Sequence, residues 1–309
     1  MPSAQSPSSR AARKRVATGF VLALLGAMAF SAKAIIVKLA YRHGVDAVTL
    51  IMYRMLLALP LFVAMAWWAG RGQPPLGRKD WLGVLGLGFS GYYLSSFLDF
   101  AGLVYISASL ERLILYLNPT LVVLLGWGLY RRRIGRGQAL GMAISYCGVL
   151  LVFGREARTQ GPDAVWGALL VFLSAVSYAV YLVYSGEMVR RLGALRLVGL
   201  ATSVACLCCL LQFALLRPWS AAAVAPEVVW LSVLNATLCT AAPVLMVMMA
   251  IERLGAASVA QAGMVGPLST IFMGVWLLGE PFTLWLAAGT ALVVAGIFVF
   301  GRSARQAAL

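Results

Sequence analysis

The chain has 309 residues, of which 62% are hydrophobic and 11% charged, whereas ordinary soluble domains contain roughly 45 to 50% apolar residues. A soluble fold cannot bury that much apolar surface, so the sequence predicts a polytopic membrane protein. The net charge of +15 is then read first as a signal of membrane topology, and no nucleic-acid partner is expected. With one histidine, and five cysteines that lack metal-finger spacing, no metal site or cofactor is expected.

Apolar runs of about 18 to 25 residues are long enough to cross a bilayer as helices. The sequence contains ten of them, at 18–40, 47–69, 82–101, 105–129, 137–154, 165–186, 195–216, 228–250, 256–278 and 283–301. The fold class is therefore an all-α membrane protein with ten transmembrane helices. Gly86-Leu-Gly88-Phe-Ser-Gly91 spells a dinucleotide-binding fingerprint, but it lies inside the third span without a preceding strand, which favours helix packing.

Basic residues outside the spans predict the topology. Seventeen lie on the side of the amino terminus and four, Arg42, Arg155, Arg158 and Arg217, on the other side. Cytoplasmic segments carry the excess of Lys and Arg, so both termini are expected in the cytoplasm. The first twelve residues, rich in Ser, Ala and Pro, are expected to be a disordered tail.

The chain repeats itself with a shift of about 148 residues. Ala108, Pro119, Gly126, Gly141 and Gly148 align with Ala256, Pro267, Gly274, Gly289 and Gly296. The first span has a partner in the sixth, so it is expected to be a retained helix rather than a signal peptide, although basic residues precede it. The expected organisation is a cytoplasmic tail (1–16), two five-helix repeats (17–156 and 163–302) and a second tail (303–309).

Five spans in each repeat is an odd number, so the second repeat enters the membrane from the opposite side. Such inverted repeats are typical of secondary transporters, which alternate between two open states around a site near the bilayer midplane. Pro119 and Pro267 take corresponding positions in the two repeats. Each removes a helix hydrogen bond, and we expect the carbonyls of Leu115 and Gly263 to be free to bind solute or water.

Charged residues within the spans are the candidate site. Lys33, Arg54, Glu111 and Arg112 lie at similar depth, with Asp99 and Lys38 nearer the outer end. A charge facing lipid at the bilayer centre costs about 2.5 to 3.5 kcal/mol on insertion scales, so these side chains are expected to face the bundle interior. The surplus of positive charge predicts an outward-facing vestibule for an anionic or zwitterionic solute. The alternative is that these charges form structural salt bridges.

Helical spacing adds further candidates for the substrate pathway. Tyr92, Ser96 and Asp99 share one face of the third span, and Ser107, Glu111 and Asn118 share one face of the fourth. The sixth span carries a stripe of tyrosines that either packs or forms a binding wall. The complete set of predicted pathway residues is Lys33, Arg54, Tyr92, Ser96, Asp99, Glu111, Arg112, Asn118, Pro119, Tyr178, Tyr181 and Pro267.

The segment from Ser107 to Thr120, the motif Gly279-Glu280-Pro281 and the ten spans in two repeats resemble the EamA-type branch of the drug/metabolite transporter superfamily. The resemblance implies a ten-helix transporter of the bacterial cytoplasmic membrane, often an exporter of amino acids or related metabolites. It does not imply a substrate. Glu280 is an additional candidate at the membrane interface.

The sequence thus predicts a secondary transporter that exports an amino acid or organic anion by alternating access. Its expected partners are a small-molecule substrate and the lipid bilayer, with Glu111 as the candidate carrier of a coupling proton. Monomer and homodimer both stay open. The alternatives are an intramembrane enzyme acting on lipid through Asp99 and Glu111, and a membrane receptor or structural protein.

Overall fold

The computed structural model of the chain describes residues 7–131, 134–254, 259, 263 and 265–306, and all regular secondary structure in these ranges is helical. The α-helices are α1 (Pro7–Tyr41), α2 (Ala47–Gly70), α3 (Arg78–Leu87), α4 (Ser95–Leu103), α5 (Ala108–Leu115), α6 (Asn118–Tyr130), α7 (Arg136–Gln160), α8 (Pro162–Leu192), α9 (Ala194–Leu216), α10 (Pro226–Ala236), α11 (Ala242–Leu254), α12 (Val265–Met273) and α13 (Leu284–Gln306). Three π-helical segments, Gly88–Leu94, Thr237–Ala241 and Gly274–Leu278, and a 3-10 turn at Trp219–Ala222 lie between them.

Eight helical runs among the described residues are long and apolar enough, by length and composition, to cross a membrane. A shorter apolar helix, Val265–Leu278, occupies the described part of the ninth predicted span. The third predicted span is helical from α3 through the π segment to α4. The chain is therefore an all-helical multi-pass membrane protein.

The amino-terminal tail differs from its prediction. α1 begins at Pro7, so residues 7–12 are helical although the sequence predicted disorder there. Ser and Pro are tolerated in the first turn of a helix, where the backbone N–H groups have no partner within the helix. Residues 1–6 and 307–309 of the two predicted tails lie outside the described residues.

Contacts between helices connect the two repeats in a twofold pattern. α1 packs against α11 and α12, while its repeat counterpart α8 packs against α4 and α6, the counterparts of those two helices. α2 packs against its own counterpart α9, and α7 against α13. These contacts of one repeat have exchanged equivalents in the other, as expected if the two repeats share one fold and face each other.

Glycines allow the closest of these helix contacts, between α7 and α13. A Cβ at Gly141 would lie 2.6 Å from the carbonyl oxygen of Gly296, and a Cβ at Gly148 would lie 2.6 Å from that of Gly289. Gly141 and Gly289 are repeat counterparts, as are Gly148 and Gly296, so the two contacts are related by the same twofold. Small residues let the two backbones approach, as in other membrane helix pairs.

The fourth predicted span is broken at the predicted proline. α5 ends at Leu115 and α6 begins at Asn118, with Pro119 in its first turn. Proline has no N–H to donate and is favoured in the first turn of a helix, where that N–H would have no partner, which fits the position of the break. Ser107, Glu111 and Asn118 therefore do not lie on one face of a single helix.

Two of the π-helical segments occupy corresponding positions in the repeats. Gly88–Leu94 interrupts the third span and Thr237–Ala241 interrupts the eighth, which matches the repeat shift with one residue of slip. A π turn inserts one residue into the helix and rotates the side chains that follow it, and such turns are frequent at functional sites. Both segments contribute side chains to the cavity described next.

Candidate functional site

A cavity of about 670 Å³ lies between the two repeats. It extends from the charged residues of the first repeat to the end of the bundle where α8 ends and α9 begins, since Val189 and Ala194 are among its lining residues. Nine of the twelve predicted pathway residues line it: Lys33, Arg54, Tyr92, Ser96, Asp99, Arg112, Asn118, Tyr178 and Tyr181. On the topology predicted from the basic residues this end would lie toward the cytoplasm, whereas the sequence predicted an outward-facing vestibule.

Lys33 stands between two carboxylates at the closed end of the cavity. Its Nζ donates to Asp99 Oδ2 and lies 3.2 Å from Glu111 Oε1. Asp99 is 2% exposed and Glu111 is fully buried, so neither carboxylate is hydrated as it would be at a surface. Charges in such an environment are stable only when they are paired. Lys33, on α1, pairs with Asp99 on α4 and with Glu111 on α5.

Arg112 joins three helices at the same level. Its Nε donates to Thr270 Oγ1 over 3.0 Å, its Nη2 donates to the Phe30 carbonyl oxygen over 3.0 Å, and its Nε lies 4.0 Å from Glu111 Oε2. The side chain therefore links α5 to α1 and α12. Because its two hydrogen bonds go to two other helices, its role in this conformation is mainly to hold these helices together.

Arg54 is the cation with an unused donor. It is 7% exposed, its Nε donates to Thr240 Oγ1 over 3.1 Å, and its guanidinium lies 5.2 Å from the centre of the Phe100 ring. Its Nη1 has no hydrogen-bond partner among the described residues. Thr240 can accept this bond because it sits in the π segment, where its own hydroxyl donates to the Asn235 carbonyl oxygen at 2.7 Å.

Asp99, which lines the same cavity, has an acceptor atom without a partner among the residues described. Asp99 Oδ1 is buried and has no hydrogen-bond partner within the described part of the chain. Asp99 interacts electrostatically with Arg54, but the ion pairs found within the described ranges do not include these two residues at 4.0 Å or less. Buried polar atoms in native proteins normally have partners. The residues that line the cavity thus include a cation with an unsatisfied donor atom, Arg54, and an anion with an unsatisfied acceptor atom, Asp99, and both atoms are buried among the described residues.

Three tyrosines form a wall of the cavity. The rings of Tyr92 and Tyr181 meet edge to face with centroids 5.1 Å apart, and Tyr178 stacks on Tyr181 at 5.5 Å. The hydroxyl groups of Tyr92 and Tyr181 are 3.3 Å apart. Tyr184, the third residue of the predicted stripe, is 49% exposed and points away from the cavity lining. The stripe therefore both packs internally and offers aromatic surface to the cavity.

Three predicted pathway residues do not line the cavity. Glu111 is buried behind Lys33, Pro119 is exposed on the outside of the bundle, and Pro267 is buried in helix packing. The Gly263 carbonyl oxygen is not free as predicted, because it accepts from the Tyr116 hydroxyl at 2.5 Å and the Gly266 N–H at 2.9 Å. The interruption of the span thus exposes a carbonyl, and another side chain then satisfies it.

Sequence reasoning missed several polar residues of the lining. Tyr116, Ser174, Thr202, Cys239 and Thr240 all contribute. Tyr116 lies in the break between α5 and α6, and Cys239 and Thr240 lie in a π segment, so a regular helical period could not assign them to a face. The repeat carries a signal that finds Thr202, since the shift of 148 places it opposite Arg54.

Comparison with known proteins gives the same picture for the whole chain. The model of the EamA-like transporter family matches twice, at residues 17–154 and 165–302. The uncharacterized transporter YcbK of Bacillus subtilis is 31% identical over 275 residues, covering 86% of this chain and 87% of the relative. An uncharacterized transporter of Archaeoglobus fulgidus is 25% identical, with 86% and 91% covered.

A solved structure shares the fold. It is described as a crystal structure of a protein, with a TM-score of 0.60 and 23% identity over 94% of this chain and 98% of the other. At this identity the likeness concerns the fold alone. Together with the two matches of the family model, one in each repeat, these relationships show that the chain belongs to the EamA-like transporter family.

Proposed function

We propose that the protein is a secondary transporter that exports a small amino acid or organic anion across the bacterial cytoplasmic membrane by alternating access. The observation that carries this proposal is the cavity between two pseudosymmetric repeats, in which Arg54 Nη1 and Asp99 Oδ1 are both buried and unsatisfied. A site at the interface of inverted repeats is where alternating access needs its substrate. The cavity extends toward the predicted cytoplasmic end, the side from which an exporter takes up its solute.

The lining supports a zwitterion over a simple anion. A substrate carboxylate would accept from Arg54, and a substrate ammonium group would donate to Asp99. Charge-assisted bonds of this kind are about twice as strong as neutral ones. The tyrosine wall and the aliphatic residues toward the open end would receive an apolar side chain. An organic anion without an amine would leave Asp99 unsatisfied, which is the expected basis of discrimination.

Proton coupling is part of the same proposal. Lys33 faces two carboxylates, so one of them can take up a proton and leave a neutral ion pair behind. Glu111 is the better candidate because it is fully buried and lies behind the pair of groups that would bind the substrate. Protonation of Glu111 would therefore weaken the pairing between α5 and Lys33. It would not compete directly with the solute for Arg54 and Asp99.

An enzymatic role for Asp99 and Glu111 receives less support. Both carboxylates are engaged with one lysine, and Glu111 does not line the cavity in which a lipid substrate would have to contact it. General acid and base groups must come within hydrogen-bond reach of the reacting atoms. We therefore propose transport rather than catalysis, with neither a cofactor nor a nucleic acid taking part.

Counterflow tests the transport proposal. Purified protein in liposomes preloaded with one unlabelled metabolite should accumulate the same radiolabelled metabolite transiently from outside. A panel of α-amino acids with apolar side chains, the matching 2-hydroxy acids and the matching amines separates the zwitterion from the anion and the cation. Accumulation with the amino acids alone is the expected result. No exchange with any member of a broad metabolite panel, by protein that is folded and inserted, would contradict the proposal.

A further inference from the structure

Resting on the transport function proposed above, we propose that α5 is the gate on the extracytoplasmic side of the cavity and that the carboxylates of Glu156 and Glu280 hold it closed. α5 is an eight-residue helix that carries Glu111 and Arg112. It is separated from α6 by the break at Tyr116 and Leu117. A short helix between a hinge and a set of releasable contacts has the construction of a gate.

Glu280 binds the first turn of α5 from the second repeat. Its Oε1 accepts from the Ala108 N–H at 2.7 Å, and its Oε2 accepts from the Ser109 hydroxyl at 2.6 Å and the Ser109 N–H at 3.3 Å. These N–H groups have no partner within the helix, and the positive end of the helix dipole favours a carboxylate there. Glu280 can turn back toward α5 because Gly279 before it adopts a φ of +72°, where glycine is favoured.

Glu156, near the end of α7, binds the residue that caps α5. Its Oε2 accepts from the Ser107 N–H at 3.1 Å, and its Oε1 accepts from the Ser107 hydroxyl. The same hydroxyl accepts from the Leu110 N–H at 3.0 Å. Two carboxylates from two other elements thus occupy consecutive donors at one end of α5. We call Glu156, Glu280 and their bonds to Ser107, Ala108 and Ser109 the outer clasp.

The chain is closed between the outer clasp and the charged residues. Val37, Leu103 and Ala108 are fully buried there, and the Tyr41 hydroxyl donates to the Phe100 carbonyl oxygen at 2.6 Å. Arg42, in the turn after α1, donates to the Leu278 carbonyl oxygen at 2.7 Å. The cavity lining ends at Lys33, Asp99 and Arg112. A solute leaving toward the outside must therefore pass through the packing that α5 completes.

Movement of α5 would also change the binding site. Glu111 faces Lys33, and Arg112 holds Phe30 and Thr270, from positions one turn into the helix fixed by the outer clasp. Release of the clasp lets α5 turn at Tyr116 and Leu117 and draws Glu111 away from Lys33. The contacts of the outer clasp and the pairing of Glu111 with Lys33 both involve α5. They therefore change together when this helix moves as a rigid element.

The two carboxylates of the outer clasp are not repeated in the sequence of the other half. The shift of 148 places Arg132 opposite Glu280 and Ala304 opposite Glu156. Neither side chain can accept a hydrogen bond from a helix amino terminus. By residue type, the carboxylates that bond to the start of α5 thus have no counterpart in the other repeat, which is consistent with a cavity that is closed at the outer clasp and extends away from it.

One-sided thiol labelling tests the gate without a substrate. Ser96→Cys lines the cavity and serves as the reporter, in protein whose five native cysteines are replaced by alanine or serine. A membrane-impermeant maleimide is applied to right-side-out and to inside-out vesicles. With the outer clasp intact, labelling is expected to be fast in inside-out vesicles and slow in right-side-out vesicles.

The variant Glu156→Ala/Glu280→Ala should raise labelling in right-side-out vesicles about tenfold or more, because loss of a charge-assisted hydrogen bond shifts a two-state equilibrium by at least that factor. Ser109→Ala, which removes one donor, should give a smaller increase and serves if the double variant does not fold. Glu227→Ala is the matched control, since Glu227 is an exposed carboxylate in the first turn of α10 at the same end of the bundle.

Unchanged outside labelling in folded clasp variants would overturn the gate, as would an equal increase in the Glu227 control. Fast labelling of the intact clasp from the outside would overturn it as well. Counterflow is measured separately, so loss of the transport proposal and loss of the gate are distinguishable: a chain that exchanges no solute but responds in the labelling assay still has the gate.

Discussion

Two regions of the cavity are repeat counterparts and differ in chemistry. The closed end carries Lys33, Arg54 and Glu111, and the shift of 148 places Tyr181, Thr202 and Val259 opposite them. These three counterparts all line the same cavity nearer its open end. The shared fold fixes where side chains meet the cavity, whereas the sequence of each repeat decides whether they carry charge.

The difference has a physical reason. Val259 packs with Ala23 and Ala250 in an apolar cluster, while Glu111 pairs with Lys33. An apolar contact can be separated without leaving an unpaired charge, whereas separation of Glu111 from Lys33 needs a new partner such as water, a proton or a solute. The charged end is therefore the part of the site where binding and conformational change can be linked.

The largest effect is expected for Glu111→Gln, which removes the charge opposite Val259. Uptake driven by a pH gradient in proteoliposomes should be abolished, because glutamine cannot take up the coupling proton, while Lys33 and Asp99 stay paired and preserve the fold. Counterflow without a pH gradient should persist. Glu187→Gln, at an exposed position on α8, is the control. Unchanged pH-driven uptake would remove Glu111 from the coupling role.

Lys33→Met should destabilise the closed, charged end of the cavity, because it leaves the carboxylates of Asp99 and Glu111 without their cation. Removing one partner of a buried ion pair costs about 3 to 5 kcal/mol, and thermal unfolding in detergent should show a correspondingly large loss of stability. The combination Lys33→Met/Asp99→Asn/Glu111→Gln removes the unpaired charges and should recover most of that stability without recovering transport. Stability that is equally low in the combination would contradict the pairing.

Arg54→Gln should weaken substrate binding by about 10-fold to 100-fold, the range that corresponds to one hydrogen bond to a charged group. Its counterpart Thr202 already carries a neutral polar side chain, so the fold at this position does not depend on charge. The measurement is the half-saturating concentration in counterflow. Arg71→Gln is the matched control at the residue that follows the end of the same helix, where the guanidinium stacks on Trp67 at 3.7 Å. Equal values for the two variants would exclude Arg54 from the binding site.

The smallest effect concerns a charge outside the cavity. Asp46 caps α2 by accepting from the Val48 N–H at 3.0 Å, and pairs with Arg217 at 3.1 Å. Partial burial acts to raise the pKa of Asp46, but hydrogen bonds from Thr49 and the nearby Arg217 outweigh it and hold the pKa below its ordinary value. Asp46→Ala should cost about 1 kcal/mol, as for other helix caps.

The sign of the pH dependence follows from that lowered pKa. The contribution of Asp46 should be present above the unfolded pKa, about 4, and be lost as the pH falls through the lower pKa of the folded state. Thermal unfolding of Asp46→Ala and the parent protein should therefore converge in acid. Asp163→Ala, at an exposed first-turn position of α8, is the control. A difference that does not shrink as the pH falls below about 4 would contradict the assignment.

Sequence patterns predicted the membrane-spanning helices well because the lipid bilayer requires each span to be apolar and helical. Apolar runs gave the helices, and the break at Pro119 followed from the missing N–H of proline. The helical face formed by Tyr92, Ser96 and Asp99 does line one cavity. The predictions failed where a backbone left the regular period: the break separated Ser107 from Asn118, and a π segment brought Thr240 to Arg54.

The sequence by itself determined that this chain is a helical membrane protein built from two related halves, and that charges in its first half face inward. Both follow from the cost of exposing polar groups to lipid, which acts on each span separately. The tertiary structure alone decided that Lys33 pairs with both Asp99 and Glu111, that Arg54 keeps a free donor, and that Glu280 reaches back to α5. These contacts join residues far apart in the chain, so they depend on how whole helices pack rather than on any local pattern.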